Sequence, residues 1–479
     1  MEPIVLQIPD SLKSIVAPLE SLIRLLSEQI VASSAASPTG LAPFERALSE
    51  HTAELERSAY VPVLAALDVD THEVRIGGVL HRRVGRFAAP FRTLAGEVSI
   101  TRSLFRPSGA GSSPTVDVVA LRAGTLGERW LPHAASAMAF LGQQGTSREA
   151  VQTAAQLGRL PYPRASFETV LHVVGAQWAR DHADVEQALI EAYEVPAAAR
   201  SVSVSLDRVS VRMEEPRKRG PGRPPKGGPK RLIVCAWRMA YCATVTLHDE
   251  KGEALHTIRY GRMPQGDATK LVESLCDDVM AMLRARPELR VALLCDGASE
   301  MWNLLSAQIN DTTLKTKVWE LVDYWHTAEK LGRAAQARHP ESAAEGSKLL
   351  ARWKTLLLER PDGAERIAAE IASWDVPTPP KDTSCPLHDA RTYLAHHASR
   401  MLYAQARAAG LPIGSGNVEA TCKCLVEVRM KRPGARWHED TGEHVLQLRA
   451  LALSDRWSPA LSRLLAVNDV VIEPVTLAA

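Results

Sequence analysis

The clearest pattern of apolar and polar positions lies in the middle of the chain, at Ser201–Val211. Apolar side chains occupy the even positions up to Leu206 and the odd positions from Val209 onward. Alternation with a period of two predicts a β-strand, because successive side chains of a strand point to opposite faces of a sheet. The change of phase beside Asp207 predicts a β-bulge that re-aims a side chain at this point.

Downstream patterns predict the other elements of a mixed sheet. Short apolar or alternating runs predict strands at about 232–247, 253–260, 291–295 and 318–322. One amphipathic run predicts a helix at about 267–286. The order strand, strand, strand, helix, strand, helix, strand predicts a mixed α/β sheet that contains a crossover. Residues at about 327–411 are almost wholly helical in pattern, and further helices are predicted at about 419–430 and 440–453.

The N-terminal half carries shorter signals. Apolar residues at three- and four-residue steps within 12–30 predict an amphipathic helix, and short runs within 69–119 predict a small β-rich module. Thr146 and Glu149 have the spacing of a capping box, which opens a predicted helix–turn–helix whose second helix runs from about 166 to 181. Helical hairpins serve as packing units or as DNA readers, and the spacing leaves both interpretations open.

Composition is that of a globular protein and excludes the membrane classes. The chain has 479 residues, 46% hydrophobic and 23% charged, and no apolar run approaches the roughly 20 residues of a membrane-spanning helix. The seven cysteines include no CxxC pair, which argues against a disulfide framework or a structural zinc site. The first residues lack the basic end and apolar block of a secretory signal. We therefore expect a cytoplasmic protein.

Positive charge is unevenly distributed, although the net charge is only +2. The segment 217–231 has seven basic residues and no acidic one, namely Arg217, Lys218, Arg219, Arg223, Lys226, Lys230 and Arg231. Its Arg219–Lys226 stretch resembles an AT-hook, which lies in the minor groove of A·T-rich DNA. A second cationic run consists of Lys423, Arg429, Lys431, Arg432 and Arg436. Both runs predict phosphate contacts, and the alternative for each is a solvated surface.

Three acidic residues stand where the pattern places few polar side chains. Asp207 interrupts an apolar alternation, Asp296 follows a buried apolar run, and Glu419 begins a helix after the flexible Gly414–Gly416 turn. Singly, these acids fit a turn, a helix cap and a helix-start acid. Together, on two strands and a helix of a ribonuclease-H-like sheet, they predict a divalent-metal site for phosphoryl transfer, because hard cations prefer oxygen ligands.

At these residues the chain resembles the Asp-Asp-Glu transposases of bacterial insertion sequences, in their Mutator-like branch. The resemblance is carried by four short motifs and by their order, namely Ser205-Leu206-Asp207, Leu294-Cys295-Asp296-Gly297-Ala298, Asp323-Tyr324-Trp325-His326 and Gly414-Ser415-Gly416-Asn417-Val418-Glu419. It implies that Asp207, Asp296 and Glu419 bind two Mg²⁺ ions, for which Mn²⁺ can substitute. It also implies an auxiliary role for Asp323 and His326, although a hydrogen-bonded histidine at a helix start is an equal alternative.

The same resemblance implies a partner and an organisation. The expected partners are the terminal inverted repeats and the target DNA, bound by a homodimer or higher homo-oligomer that is nucleoid-associated when on DNA. Six segments are expected, namely an N-terminal helical segment (1–60), a β-rich module (61–130), a helix-turn-helix-like module (131–198), a ribonuclease-H-like catalytic domain (199–338 and 412–456), a helical insertion (339–411) and a C-terminal tail (457–479).

Two other functions remain open at this point. A host nuclease or junction resolvase of ribonuclease-H-like fold would use the same acids on other substrates. A domesticated DNA-binding protein would keep the DNA contacts without catalysis, although the three acids argue against this alternative.

Overall fold

The computed structural model describes residues 7–32, 41–109, 113–216, 233–374, 384–466 and 471–475. The predicted AT-hook-like segment 217–231 lies outside the described residues. The chain divides into two compact units, one formed within Met1–Val185 with Trp457–Ala479 and the other within Glu186–Arg456. In the part of the chain that the structure describes, no helix is long and apolar enough to cross a membrane.

The first 200 residues contain a short 3₁₀ turn followed by helices and strands. The turn is Asp10–Ile15, and the helices are α1 (Val16–Ala32), α2 (Leu41–Ala66), α3 (Val118–Arg122), α4 (Pro132–Gln144), α5 (Ser147–Gln156) and α6 (Arg164–Glu191). The strands are β1 (Glu73–Ile76), β2 (Val79–Thr93), β3 (Gly96–Pro107) and β4 (Val116–Asp117). The predicted capping box is confirmed at α5, where the Thr146 side chain accepts from the Glu149 amide and the Glu149 side chain accepts from the Thr146 amide.

The rest of the chain alternates strands and helices and then becomes helical. The strands are β5 (Ser201–Pro216), β6 (Ile233–His248), β7 (Ala254–Arg262), β8 (Arg290–Cys295), β9 (Val318–Val322) and β10 (Ile472–Pro474). The helices are α7 (Ala268–Ala285), α8 (Ser299–Gln308), α9 (Asp311–Leu314), α10 (Tyr324–Arg338), α11 (Ala343–Glu359), α12 (Gly363–Ala372), α13 (Pro386–His397), α14 (Tyr403–Ala408), α15 (Gly416–Thr421), α16 (Val428–Met430), α17 (Glu439–Leu453) and α18 (Trp457–Ala466). A π-helical turn, Cys422–Glu427, connects α15 to α16.

The first unit is built on an antiparallel sheet. Its strands follow the order β10-β1-β2-β3-β4 in the described residues. The long β2–β3 hairpin packs apolar side chains such as Phe91 and Ile100 against α2 and α3, and Phe105 packs in a neighbouring cluster with Val74. Alternating burial along β3 follows from one covered face, as expected for an antiparallel sheet.

The second unit contains a mixed sheet whose described strands follow the order β7-β6-β5-β8-β9. The strands β5, β6 and β7 pair antiparallel, whereas β5 pairs parallel with β8, and β8 pairs parallel with β9. The short connection 249–253 joins β6 to β7, while α7 and α8 lie in the crossovers that parallel pairing requires. The carboxyl ends of β8 and β9 therefore lie level with the middle of β5, which continues to Pro216.

The predicted β-bulge at Asp207 is wrong. The pairing of β5 with β6 runs without a shift of register from Ser201–His248 to Pro216–Ile233. The apolar pattern changes phase because the sheet is covered on different sides along its length, and no extra residue is inserted.

Two cores cover the two faces of β5. On the α7 face, Val204 and Leu206 pack with residues of α7, α8 and the helices from α10 onward. On the α15 face, Val209 and Val211 pack with residues of α15, the π-helical turn and α17. Leu206 and Val209 are therefore both buried although they point to opposite faces.

Candidate active site

Asp207 and Asp296 lie beside each other at the carboxyl edge of the sheet. The parallel pairing of β5 and β8 aligns Ser205 with Leu294, and each aspartate follows its aligned residue by two positions. Oδ1 of Asp207 accepts from the Arg208 amide at 2.6 Å, and Oδ1 of Asp296 accepts from the Ala298 amide at 2.9 Å. Burial raises the pKa of Asp207, and the charge of Asp296 raises it further against the lowering effect of the Arg208 amide. The two carboxylates therefore repel each other.

Asp323 connects the end of β9 to the turn that precedes α15. Its side chain is fully buried, and Oδ1 accepts from the His326 amide at 2.7 Å, which caps α10. Oδ2 accepts from the amide and the hydroxyl of Ser415 at 2.5 and 3.0 Å. Burial would raise the pKa of Asp323, but the hydrogen bonds from His326 and Ser415 outweigh burial and lower it. A buried carboxylate with this many donors holds the turn in a fixed position.

Gly414 allows the turn to pass close to α10. A Cβ atom at this position would lie 3.0 Å from Cδ1 of Trp325 and 3.1 Å from its Nε1, which is closer than nearly all real Cβ contacts. A side chain would therefore require the turn or the Trp325 ring to shift by a few tenths of an ångström. The glycine in the motif has a packing reason that the sequence does not reveal.

Glu419 lies on α15, which packs over β5 and β6. Cys422 follows Glu419 by three residues, and its thiol contacts Oδ2 of Asp207 at 3.5 Å. Residues three apart share a helix face, so Glu419 lies one turn from the residue that touches Asp207. Its carboxylate oxygen is also 3.6 Å from Nδ1 of His326. The third acid is therefore linked to the first through Cys422 and to the end of β9 through His326.

His326 carries a proton among these acids. The hydrogen bond with Asp323 raises the pKa of His326 to about 9, against the lowering effect of burial, and the charges of Asp323, Glu419 and Asp296 add to the rise. The imidazolium therefore supplies one positive charge to a group of four carboxylates at neutral pH. Its Nδ1 lies 3.2 Å from Oδ1 of Asp323.

One group of three metal-capable side chains in the described ranges has ligand atoms within 4.8 Å of one another, namely Asp323, His326 and Glu419. This group is a poor metal site as it stands. Both oxygens of Asp323 already accept from protein donors, and His326 is protonated. Asp207 and Asp296 each keep one carboxylate oxygen free of backbone donors. We interpret Asp323 and His326 as positioning groups rather than as ligands.

The helical region after α10 supplies neighbours of Asp296 that the sequence pattern does not indicate. The Tyr393 hydroxyl donates to the Asp296 carbonyl at 3.4 Å, and the Tyr393 and His397 rings lie 4.7 Å apart. Both side chains approach Gly297, which has a φ of +103° that favours glycine. Cys422 and Ser415 were also missed, although both lie within four residues of Glu419 and that spacing was a usable signal.

The second cationic run is distributed between surface and interior. Lys423 and Lys431 are exposed, and Lys431 pairs with Glu427 at 2.9 Å. Arg432 donates to the Val428 carbonyl at 3.1 Å. Arg429 is buried and its guanidinium lies 5.0 Å from the centre of the Trp437 ring, so this side chain packs on Trp437 instead of facing solvent.

Comparisons with known proteins add little to this geometry. No family model and no curated protein matches the chain. Among solved structures, the Drosophila P element transposase strand transfer complex is similar at 12% identity, over 67% of this chain and 79% of that chain, with a TM-score of 0.24. A similarity of this size carries no argument, so the Mutator-like resemblance stays a prediction and the proposal below depends on the site.

Proposed function

We propose that this chain is a metal-dependent phosphoryl transferase that acts on DNA as a transposase of a bacterial insertion sequence. One observation carries the proposal: Asp207, inside β5, and Asp296, directly after β8, lie side by side where the parallel pairing of these strands ends, and α15, which carries Glu419, packs over β5 and β6. The strand order, with one antiparallel flank and one parallel flank, supports a ribonuclease-H-like fold for the second unit. This fold is the expected setting for an Asp-Asp-Glu site.

The donor set fits divalent cations such as Mg²⁺ or Mn²⁺. Asp207, Asp296 and Glu419 offer carboxylate oxygens, which these ions prefer. The charge of Asp296 raises the pKa of Asp207, so a cation between them would relieve their repulsion. When bound, two such ions would activate the attacking oxygen and neutralise charge on the phosphoryl group.

The other residues of the site orient these three acids. Asp323 fixes the Ser415 turn, and the turn fixes the start of α15. His326 holds a proton 3.6 Å from Glu419 and adds positive charge where the DNA phosphate is expected. Fixed charges of this kind act most strongly where water is partly excluded.

DNA is the proposed partner, bound as inverted repeats and target by a homo-oligomer. Lys423, Lys431 and Arg432 are proposed to contact phosphates beside Glu419. In the segment outside the described residues, Arg217, Lys218, Arg219, Arg223 and Lys226 are proposed to contact the minor groove.

A cleavage assay tests the proposal on a supercoiled plasmid that carries the DNA flanking the gene. Asp207→Asn, Asp296→Asn and Glu419→Gln should each lower Mg²⁺-dependent cleavage at least about 10³-fold, or about 4 kcal/mol of barrier, while DNA binding persists. The control Glu427→Gln changes an acid about two turns after Glu419 that pairs with Lys431, and cleavage should persist.

Two results would contradict the assignment. Full cleavage by any of the three variants would remove that residue from the site. Cleavage of branched DNA that does not depend on the flanking repeats would assign the same site to a junction-cleaving nuclease.

A further inference from the structure

The outer half of the β5–β6 hairpin has one uncovered face, which we call the open hairpin face. It consists of Ser210, Arg212, Glu214 and Pro216 on β5 and of Ile233, Cys235, Trp237 and Met239 on β6. These side chains share a face because Arg212 pairs with Trp237 and the β6 residues are two apart. Trp237 is 62% exposed, Ile233 47% and Met239 42%, and Cys235 is also exposed. Such a row of exposed apolar side chains on a strand pair indicates a binding surface.

The open hairpin face lies on the opposite side of β5 from the Asp207 side chain, which contacts Cys422 on the α15 face. The same face is closed one step earlier, where Glu300 of α8 pairs with Arg208 at 2.5 Å and accepts from the Tyr241 hydroxyl at 3.1 Å. Trp237 pairs with Arg212, which is five residues beyond Asp207 on β5. At about 3.3 Å per residue, Trp237 lies about 17 Å from Asp207 along the strand.

The charges around this face favour a polyanion. Glu214 is paired with Arg436 at 3.0 Å and with His438 at 3.3 Å, and Glu215 is paired with Arg238 at 2.5 Å. Arg212 forms no ion pair with the described residues, so its charge stays uncompensated. Beyond Pro216 the chain continues into the seven cations of 217–231. A second copy of the same positive face would be repelled, whereas phosphates would be attracted.

We propose that the open hairpin face binds DNA flanking the cleavage position, with Trp237 stacked on an unpaired base and Arg212 on a phosphate. This inference deepens the proposed function and depends on it for the identity of the DNA. An exposed indole beside the exposed Arg212 has the composition of a single-strand binding surface, where aromatic rings stack on bases of any sequence.

Fluorescence anisotropy tests the two contacts separately. The probe is a fluorescein-labelled 30-base-pair duplex of mixed sequence with an eight-nucleotide single-stranded tail, compared with a blunt duplex. Trp237→Ala should weaken binding of the tailed probe roughly 5- to 100-fold without changing the salt dependence, because stacking carries no charge. Arg212→Gln should reduce the slope of log K against log salt by about 0.7 to 0.9.

Matched variants control for general effects of an exposed substitution. Leu255→Ala removes a side chain of β7 that is 40% exposed, and Arg284→Gln removes an exposed cation of α7. Both should bind the tailed probe as the parent does. A Trp237→Ala variant that binds the tailed probe like Leu255→Ala would overturn the inference.

The native cysteines provide a second measurement on the unmodified chain. Cys235 is exposed on the open hairpin face, whereas Cys385 is half-buried at the start of α13. Saturating tailed probe should slow maleimide alkylation of Cys235 at least about fivefold and leave the rate at Cys385 unchanged. An unchanged rate at Cys235 would overturn the inference.

The outcomes separate this inference from the proposed function. Weaker binding by Trp237→Ala in a chain that cleaves no DNA would support DNA binding by the open hairpin face and would reject the proposed transposase activity. Metal-dependent cleavage with unaltered binding by Trp237→Ala would support the proposed activity and would reject DNA binding by the open hairpin face. A self-association that Trp237→Ala abolishes, with DNA binding unchanged, would assign the face to a second copy and overturn the inference.

Discussion

The two halves of β5 meet different surroundings although they form one strand with one continuous register. In Ser201–Leu206 every side chain is buried, because helices cover both faces of the sheet. In the remainder, Asp207–Pro216, only the α15 face is covered and burial alternates. The change occurs at Asp207, whose half-buried side chain points to the α15 face at the end of the fully buried half. Half-buried acids of this kind have shifted pKa values and remain open to substrate.

The largest expected effect comes from truncating the doubly covered half. Leu206 is 1% exposed, and Leu206→Ala should lower the free energy of unfolding by about 2–5 kcal/mol through lost contacts and a cavity. Met239→Ala, on the open hairpin face of the partner strand, should change it by less than about 0.5 kcal/mol. Urea unfolding of the two variants checks this contrast, and equal losses would show that the outer half is covered as well.

The two faces of the outer half of β5 should contribute differently to the free energy of unfolding. Val211 is buried on the α15 face, and Val211→Ala should cost about 1–3 kcal/mol. Its neighbour Arg212 points to the other face, and Arg212→Ala should stay within about 0.5 kcal/mol. The shift of the urea midpoint measures both, and a larger loss at Arg212 would reject the face assignment.

The free energy of unfolding should depend on pH through His248, which lies beside the doubly covered half of β5. His248 is buried with its ring nitrogens near Ser203 Oγ at 2.8 Å and the Gly252 carbonyl at 3.0 Å, and burial lowers its pKa from 6.5. Below pH 6.5 the unfolded chain binds a proton that the folded chain resists. The stability that comes from burying a neutral His248 is therefore fully present above pH 6.5 and is lost as the pH falls.

The pH dependence is best measured as a difference between variants. His248→Gln should remove a slope of at most about 1.4 kcal/mol per pH unit from the unfolding free energy below neutral pH. His396→Gln, an exposed histidine of α13, provides the control and should leave the slope in place. Identical slopes in the two variants would contradict the prediction.

The smallest expected effect concerns the edge of the outer half. Residue Trp437 pairs with β5 there, as its amide donates to the Arg212 carbonyl at 3.0 Å and its carbonyl accepts from the Glu214 amide at 2.8 Å. The Arg436–Glu214 ion pair beside it is partly exposed. A double-mutant cycle should give a coupling of about 0.2–1 kcal/mol that falls with added salt. A coupling that does not change with salt would argue against an exposed pair.

Local patterns predicted the elements well, because the apolar alternation of a strand and the capping residues of a helix each span only a few residues. The strand predicted at 318–322 is β9, and the capping box at Thr146 is confirmed. The interpretation of the phase change at Asp207 failed because coverage of a sheet face is decided by helices far away in the chain. Those helices include α15, which begins more than 200 residues later.

The candidate site could be predicted only in part, again because the packing of distant elements is not visible in a local sequence pattern. The sequence indicated Asp207, Asp296 and Glu419, and their role as metal ligands stays a proposal. The protonation of His326 depends on Asp323, Glu419 and Asp296 approaching one ring, which no short motif specifies. The contact of Tyr393 with Asp296 depends on how α13 packs, and its surrounding sequence has no distinguishing pattern.

The hydrogen bonds of Asp323 to Ser415 have a consequence for the long helical excursion between them. The chain leaves the sheet at Asp323 and returns at Ser415 to within 2.5 Å of the same carboxylate, and the Tyr324 amide also donates to the Ile413 carbonyl at 3.0 Å. Departure and return are thus joined at one carboxylate, so the start of α15 is held directly against the end of β9. The location of Glu419 therefore depends on a residue of another element as well as on its own helix.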